Sequence, residues 1–290
     1  MSINKNLIKI LKEYKMNDLT LIEKSIIKKF RKEIWNRFIE AVNNYELIEK
    51  NDKIAVCISG GKDSFLMAKL LEELQKHGHT EFSLEYIVMN PGYNHENALK
   101  IEENAKLLNL PIKIFNSEIF NVTENCGGNP CYLCARMRRG HLYSFAKELG
   151  CNKIALGHHF DDVIETTLMG LLYSGQFNTM LPKLKSQNFE GLELIRPMYC
   201  IREKDIISFA RYNSLDFIAC ACALTEKDKN KELESYRKKV KNLISELKKD
   251  DPLVDINIFK SVHNVNIDQI IGYKKDGQKY SFLESYKKEN

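Results

Sequence analysis

With 290 residues, 43% of them hydrophobic and 29% charged, the chain suits one large or two small globular domains and excludes a disordered protein. A net charge of +5 permits a polyanionic partner without demanding one. No apolar run approaches the ~20 residues of a membrane span, and 8 cysteines in so long a chain favour cytoplasmic metal chemistry over a disulfide frame.

The N-terminal stretch Met1–Asn6 has neither the apolar core nor the small-residue cleavage site of a secretory signal. From Thr20 to Glu49 there is no Pro or Gly, and Leu21, Ile22, Ile26, Ile27, Phe30, Ile34, Phe38 and Val42 recur near helical spacing. That predicts one or two amphipathic helices within an N-terminal helical region, 1–50. Lys24, Lys28, Lys29, Arg31, Lys32 and Arg37 give them a basic face, a solvated surface or an RNA contact.

Ile54–Ile58 reads as a buried strand, Ser59-Gly-Gly-Lys-Asp-Ser64 as a tight turn and Phe65–Leu71 as the start of a helix. Further strands are expected over Phe82–Met89, Pro111–Phe115 and Asn152–Gly157. A helix is expected over Asn94–Leu108, with Asn94 its cap, and another over Leu142–Leu149. Alternating strands and helices predict an α/β fold with a doubly wound parallel sheet over residues 51–222. Ligands in such sheets bind at the carboxyl ends of strands, where Ser59, Met89 and Gly157 fall. Beyond it, 223–290 reads as a Lys- and Glu-rich helix over Thr225–Lys249 and a small lid-like element containing Gly272 and Gly277.

The Ser59–Ser64 turn is the first chemical signal. Glycines between a strand and a helix let backbone N–H groups converge on an anion, with Lys62 adding a point charge and Ser59 and Ser64 hydroxyls. Its spacing is neither Walker A nor GxGxxG. Gly157-His158-His159-Phe160-Asp161-Asp162 follows the fourth strand, and carboxylates opening a helix there suit Mg²⁺ beside a bound nucleotide. Cys131-Tyr-Leu-Cys134 is spaced to clasp zinc or an iron–sulfur cluster, or to act as a redox dithiol. Cys220 and Cys222 offer a further ligand far downstream, Cys126 a nearer one, whereas Cys57, Cys151 and Cys200 sit in apolar settings and read as free thiols. Arg136, Arg138 and Arg139 follow the Cys pair and suit phosphate.

Taken in order, these motifs resemble a known family. Ser59–Ser64 resembles the PP-loop of the ATP pyrophosphatases. With Cys131-x-x-Cys134-Ala-Arg-Met-Arg-Arg-Gly140, Ala155-Leu-Gly-His-His-x-Asp-Asp162, Leu194-Ile-Arg-Pro197 and Arg202-Glu-Lys-Asp-Ile206, the chain from about Lys28 to Cys222 looks like the tRNA 2-thiocytidine synthetases, and more broadly the cluster-dependent tRNA thiolases. The resemblance implies that ATP and Mg²⁺ adenylate the C2 oxygen of a tRNA pyrimidine, an anticodon-loop cytidine, and that sulfur carried on a 4Fe-4S cluster displaces AMP. It assigns ATP to Ser59, Gly60, Gly61, Lys62, Asp63 and Ser64, with Met89 and Gly157 beside them. It assigns metal or adenylation chemistry to Asp161 and Asp162, the activated base to Arg138, and the cluster to Cys131, Cys134 and either Cys222 or Cys220. It implies tRNA and a sulfur donor (a cysteine desulfurase or sulfide) as partners, and leaves a homodimer open. Competing readings are another PP-loop ligase, of the lysidine synthetase or amidotransferase type, and a zinc-stapled nucleotide- or RNA-binding protein.

Overall fold

The computed structural model describes residues 19–117, 119, 130–218 and 236–286, with the backbone alone for 130–135 and 285. They divide into two compact units, one of residues up to Val163 with 180–235, the other of 164–179 with 236 onward.

The first unit opens on helix α1 (19–27), a π-helical turn at Arg31–Trp35 and helix α2 (Asn36–Asn44). Ile26, Phe30, Ile34 and Phe38, spaced every four residues, are all buried. A repeat of four drifts by about 40° per step on a straight α-helix, and the wider π turn takes that drift back. The bonds from Phe30 N to Ser25 O (2.9 Å) and from Trp35 N to Phe30 O (3.2 Å) mark where it does so. The basic residues noted above all lie on the exposed side. The helical run ends at Asn44 rather than Glu49, because Glu46 takes a positive φ of 49°.

Then follow β1 (Lys53–Ile58), α3 (Lys62–His77), β2 (Ser83–Asn90), α4 (His95–Leu107), β3 (Ile112–Asn116), α5 (Pro130–Glu148), β4 (Lys153–Ala155), α6 (Phe160–Ser174), β5 (Lys183–Lys185), β6 (Glu193–Ile195) and α7 (Glu203–Tyr212). Asn94 caps α4 as expected, accepting from Asn97 N at 2.8 Å. The six-stranded sheet has the order β3-β2-β1-β4-β6-β5. All neighbours are parallel except β5, which runs antiparallel to β6. The doubly wound parallel sheet is therefore present, with a short antiparallel edge added. Strand order reverses between β1 and β4, so a crevice is expected where their carboxyl ends part.

At the opposite, amino end, the buried Lys153 ammonium lies 2.8 Å from Asp52 and donates to Leu47 O at 3.0 Å. Asn152 links Asp52 to Lys53 N. This partnered network ties β1 to β4 at the end away from the crevice. Cys57 and Cys151 are free and buried in the sheet core with Ala55, Ile87, Ala146 and Ile154. Burial pushes the Cys57 thiol up, and the Cys151 thiol to about 11. The half-buried, free Cys200 thiol is pushed to about 12 for the same reason. Such thiols are inert.

The second unit comprises the C-terminal part of α6, α8 (Tyr236–Asp250), α9 (Val254–Ser261), a hairpin of β7 (Gly272–Lys275) and β8 (Gln278–Ser281), and α10 (Leu283–Tyr286). α8 buries Val240 and Ile244, and Lys248 pairs with the buried Asp255 of α9. The rings of Tyr173 of α6 and Tyr236 pack at a tilt of 33°, with centroids 4.2 Å apart. Asp276 and Gly277, both at positive φ, form the tight hairpin turn. Among the described residues no helix is long and apolar enough to cross a membrane. Cys126, Cys220, Cys222 and residues 225–235 lie outside the described residues.

Candidate active site

The Ser59–Ser64 loop leaves the carboxyl end of β1 beside the reversal in strand order. Gly60 has φ +91°, and a Cβ there would stand 2.3 Å from Ile218 Cδ1 and 2.8 Å from Ile101 Cγ1. Glycine is required both by the backbone and by the space. Gly61 is the N-cap of α3 and brings no side chain to the first-turn N–H groups. These donors therefore face outward as an anion cradle. Ser64 shapes the loop from inside: its Oγ accepts from Ser59 N at 3.1 Å and donates to Gly61 O at 2.9 Å. Lys62 Nζ stands 3.2 Å from Asp63 Oδ1 and 3.2 Å from Glu203 Oε1 of α7. Beside the loop opens a cleft of about 390 Å³, lined by Lys62, Asp63, Ala210, Arg211 and Phe217 among others.

The segment after β4 is pressed against the same loop. A Cβ on Gly157 would lie 3.2 Å from Ser64 N and 3.3 Å from Asp63 C. The two backbones meet here because no side chain intervenes. Gly157→Ala should push α3 and its loop aside, lower affinity for the bound anion about tenfold and cost about 1–3 kcal/mol of stability. Titration calorimetry with urea unfolding reads both, and unchanged binding would show that this contact does not set the loop.

His159, Asp161 and Asp162 follow. Phe160 N donates to Ile201 O at 2.9 Å and Glu203 N to Asp161 Oδ2 at 2.7 Å. The starts of α6 and α7 are thereby locked together. Asp161 thus caps α7 rather than its own helix. His159 N donates to Asp162 Oδ2 at 3.1 Å. The buried His159 ring sits among carboxylates: Nε2 is 3.9 Å from Asp63 Oδ1 and 3.6 Å from Asp162 Oδ2, and Nδ1 is 3.8 Å from Asp161 Oδ2. These separations exceed hydrogen-bond length. Asp63 of α3 and Asp161 and Asp162 of α6 thus bring carboxylates to one imidazole beside the anion cradle. The three do not converge on a single point, so a hard cation such as Mg²⁺ would take one or two of them together with phosphate oxygens.

Arg138 reaches the loop through a residue the sequence did not single out. Its Nη2 donates to Tyr93 OH at 3.2 Å, and Tyr93 OH lies 3.5 Å from Ser59 O. Tyr93 is held by Asn90, whose Oδ1 accepts from Tyr93 N at 2.7 Å. Arg136 and Arg139 are exposed. Met89 occupies the end of β2, but its side chain is buried against Ile119, so Tyr93 is what β2 sends to the loop. Glu203 was visible within Arg202–Ile206 without a role. Arg196, at the end of β6, is buried and donates to Leu181 O. Burial pushes its guanidinium down to about 10, with Tyr143, Tyr199 and Asp162 opposing. Cys131 and Cys134 stand at i and i+3 in the first turn of α5, on one face of the helix that carries Arg138.

The PP-loop domain family matches residues 29–242. Over 253 residues the chain is 34% identical to the tRNA-cytidine(32) 2-sulfurtransferase of Coxiella burnetii (strain Dugway 5J108-111), spanning 85% of this chain and 95% of that relative. It is 37% identical over 246 residues to tRNA-cytidine(32) 2-sulfurtransferase 1 of Francisella philomiragia, spanning 82% and 92%. In fold it is similar to the U34-tRNA thiolase NcsA of Methanococcus maripaludis, solved with its 4Fe-4S cluster, at a TM-score of 0.64 and 24% identity over 83% of this chain and 80% of that one.

Proposed function

The chain belongs to the PP-loop family, among its tRNA-cytidine(32) 2-sulfurtransferases, and on that premise we propose that it replaces the C2 oxygen of an anticodon-loop cytidine, position 32, by sulfur at the expense of ATP. One observation carries the reading to these residues. The Arg138–Tyr93–Ser59 contacts join the Cys-bearing helix to the anion loop, so a base activated at one is within reach of the other.

The reaction begins with ATP seated by its phosphates on the α3 N–H groups and Lys62. The C2 oxygen attacks the α-phosphorus, the bond to the bridging oxygen breaks, and pyrophosphate leaves with that electron pair. Lys62 and the loop N–H groups meet the charge that grows on pyrophosphate, in a cradle already shaped by Ser64. One or two of the Asp63, Asp161 and Asp162 carboxylates, with phosphate oxygens, would hold Mg²⁺. Arg138 steadies the adenylated base. C2 now bears AMP, a far better leaving group than oxide or hydroxide. A sulfur nucleophile adds at C2, the C2–O bond breaks, and AMP departs.

Cys131, Cys134 and Cys222, or Cys220 in its place, would hold the 4Fe-4S cluster, and the pair at i and i+3 on α5 fits thiolate ligation. When bound there, the cluster supplies that sulfur nucleophile. Each turnover consumes one sulfur, so a donor outside the chain, a cysteine desulfurase or sulfide, is required. Free thiols fit a reducing compartment, the cytoplasm.

Incubating anaerobically reconstituted protein with tRNA, ATP, Mg²⁺ and sulfide, then analysing the nucleosides by mass spectrometry, tests the reading. The expected product is 2-thiocytidine at position 32, formed only with ATP. AMP release without any thionucleoside would overturn it.

A further inference from the structure

The β7–β8 hairpin lies beyond the part of the chain that matches the PP-loop domain. Its register pairs Tyr273 with Tyr280, Lys274 with Lys279 and Lys275 with Gln278. Strand alternation therefore puts Tyr273, Tyr280, Lys275 and Gln278 on one face, and Lys274 with Lys279 on the other. Both faces are open to solvent, Tyr280 alone being half-buried. The tyrosine rings stack, centroids 4.9 Å apart and planes 12° apart. Beside them, Ile271 is 80% exposed and Phe282 46%.

This ribbon breaks two rules at once. Among the described residues no layer covers either face; such a two-stranded sheet is marginal in water, and lysines directly opposite one another repel. Edge lysines alone would guard against aggregation, but that purpose does not call for a stacked tyrosine pair on the other face. Conflicts of this kind mark functional surfaces. A phosphate backbone relieves the repulsion between Lys274 and Lys279, and an unstacked base extends the tyrosine stack. Lys274, Lys275 and Lys279 against Asp276 alone leave the hairpin positive.

We infer that this hairpin is an RNA-contact surface outside the catalytic unit, which binds the tRNA backbone through Lys274 and Lys279 and an unpaired base on the Tyr273–Tyr280 stack. The identity of the RNA rests on the thiolase reading. The test is tRNA binding by full-length protein carrying Lys274→Glu with Lys279→Glu, followed by fluorescence anisotropy at several salt concentrations. Charge reversal keeps the cross-strand repulsion, so the hairpin is no less stable than before. Affinity should fall about tenfold or more near 0.1 M salt, and the slope of log K against log salt should become shallower by about 1 to 2. ATP affinity should not change, and Lys274→Arg with Lys279→Arg should retain binding. Equal affinity and slope in the Glu variant would overturn the inference. So would a loss of self-association with tRNA affinity intact, which would make the hairpin a protein interface. If wild-type protein bound no tRNA at all, the thiolase reading itself would fall.

Discussion

Lys62→Ala is expected to lower ATP-dependent turnover by about 10²–10³-fold, the loss typical when one donor is removed from a preorganised site where charge develops. Lys62 is the cation of the Ser59–Ser64 loop, and it is held between Asp63 and Glu203, each 3.2 Å away. Those partners aim the ammonium, and a polyphosphate outcompetes them with more charge and more acceptors. The pairs are partly solvated, so their loss changes stability little. The deficit should therefore appear in chemistry, as slowed AMP and pyrophosphate formation in a single turnover, with tRNA affinity and iron content intact. Lys62→Arg restores the charge with a different reach and should recover only part of the rate. Turnover within threefold of wild type would remove the loop lysine from the mechanism.

What the sequence disclosed follows the range of the interaction. The Ser59–Ser64 loop was legible because its chemistry is local: glycine, lysine and serine in one turn. Gly157 was expected to close the fourth strand, which ends at Ala155, and its reason, a backbone approach so close that a Cβ would stand 3.2 Å from Ser64 N, is a packing fact. Asp161 was marked as a candidate, yet its partner is Glu203 N, on a helix that starts far downstream. Tyr93 carried no signal beyond following the Asn90-Pro91-Gly92 turn at a strand's carboxyl end. β5 and β6, three residues each, are too short to show an alternating pattern. The basic N-terminal face is exposed, which leaves both of its sequence readings open, and the π turn that keeps Phe30 and Ile34 buried arises from helix geometry, not from any residue type. In the hairpin, Gly277 was noted only as part of a small lid-like element, and the Asp276-Gly277 turn and the pairing of Lys274 with Lys279 emerge with the register.

Cys131→Ala is expected to abolish thiolation while leaving adenylation in place. The anion loop is built by Ser59, Gly60, Gly61 and Ser64 through contacts that involve no cysteine, so ATP-dependent release of AMP or pyrophosphate with tRNA should continue. The sulfur nucleophile has no such independence. With one thiolate gone from a set of three, iron should drop from about four per chain to well below one, and no thionucleoside should form. Chain stability serves as the control, because Cys57→Ala and Cys151→Ala touch the sheet core instead. They should keep iron and thiolation and lose about 1–2 kcal/mol to the small cavity each leaves. Cys220→Ala and Cys222→Ala then separate the remaining ligand, with iron loss expected only in the second. An iron-replete, thiolating Cys131→Ala protein would break the link between α5 and the sulfur step. The loop, Lys62 and the carboxylates would remain as the machinery of adenylation alone.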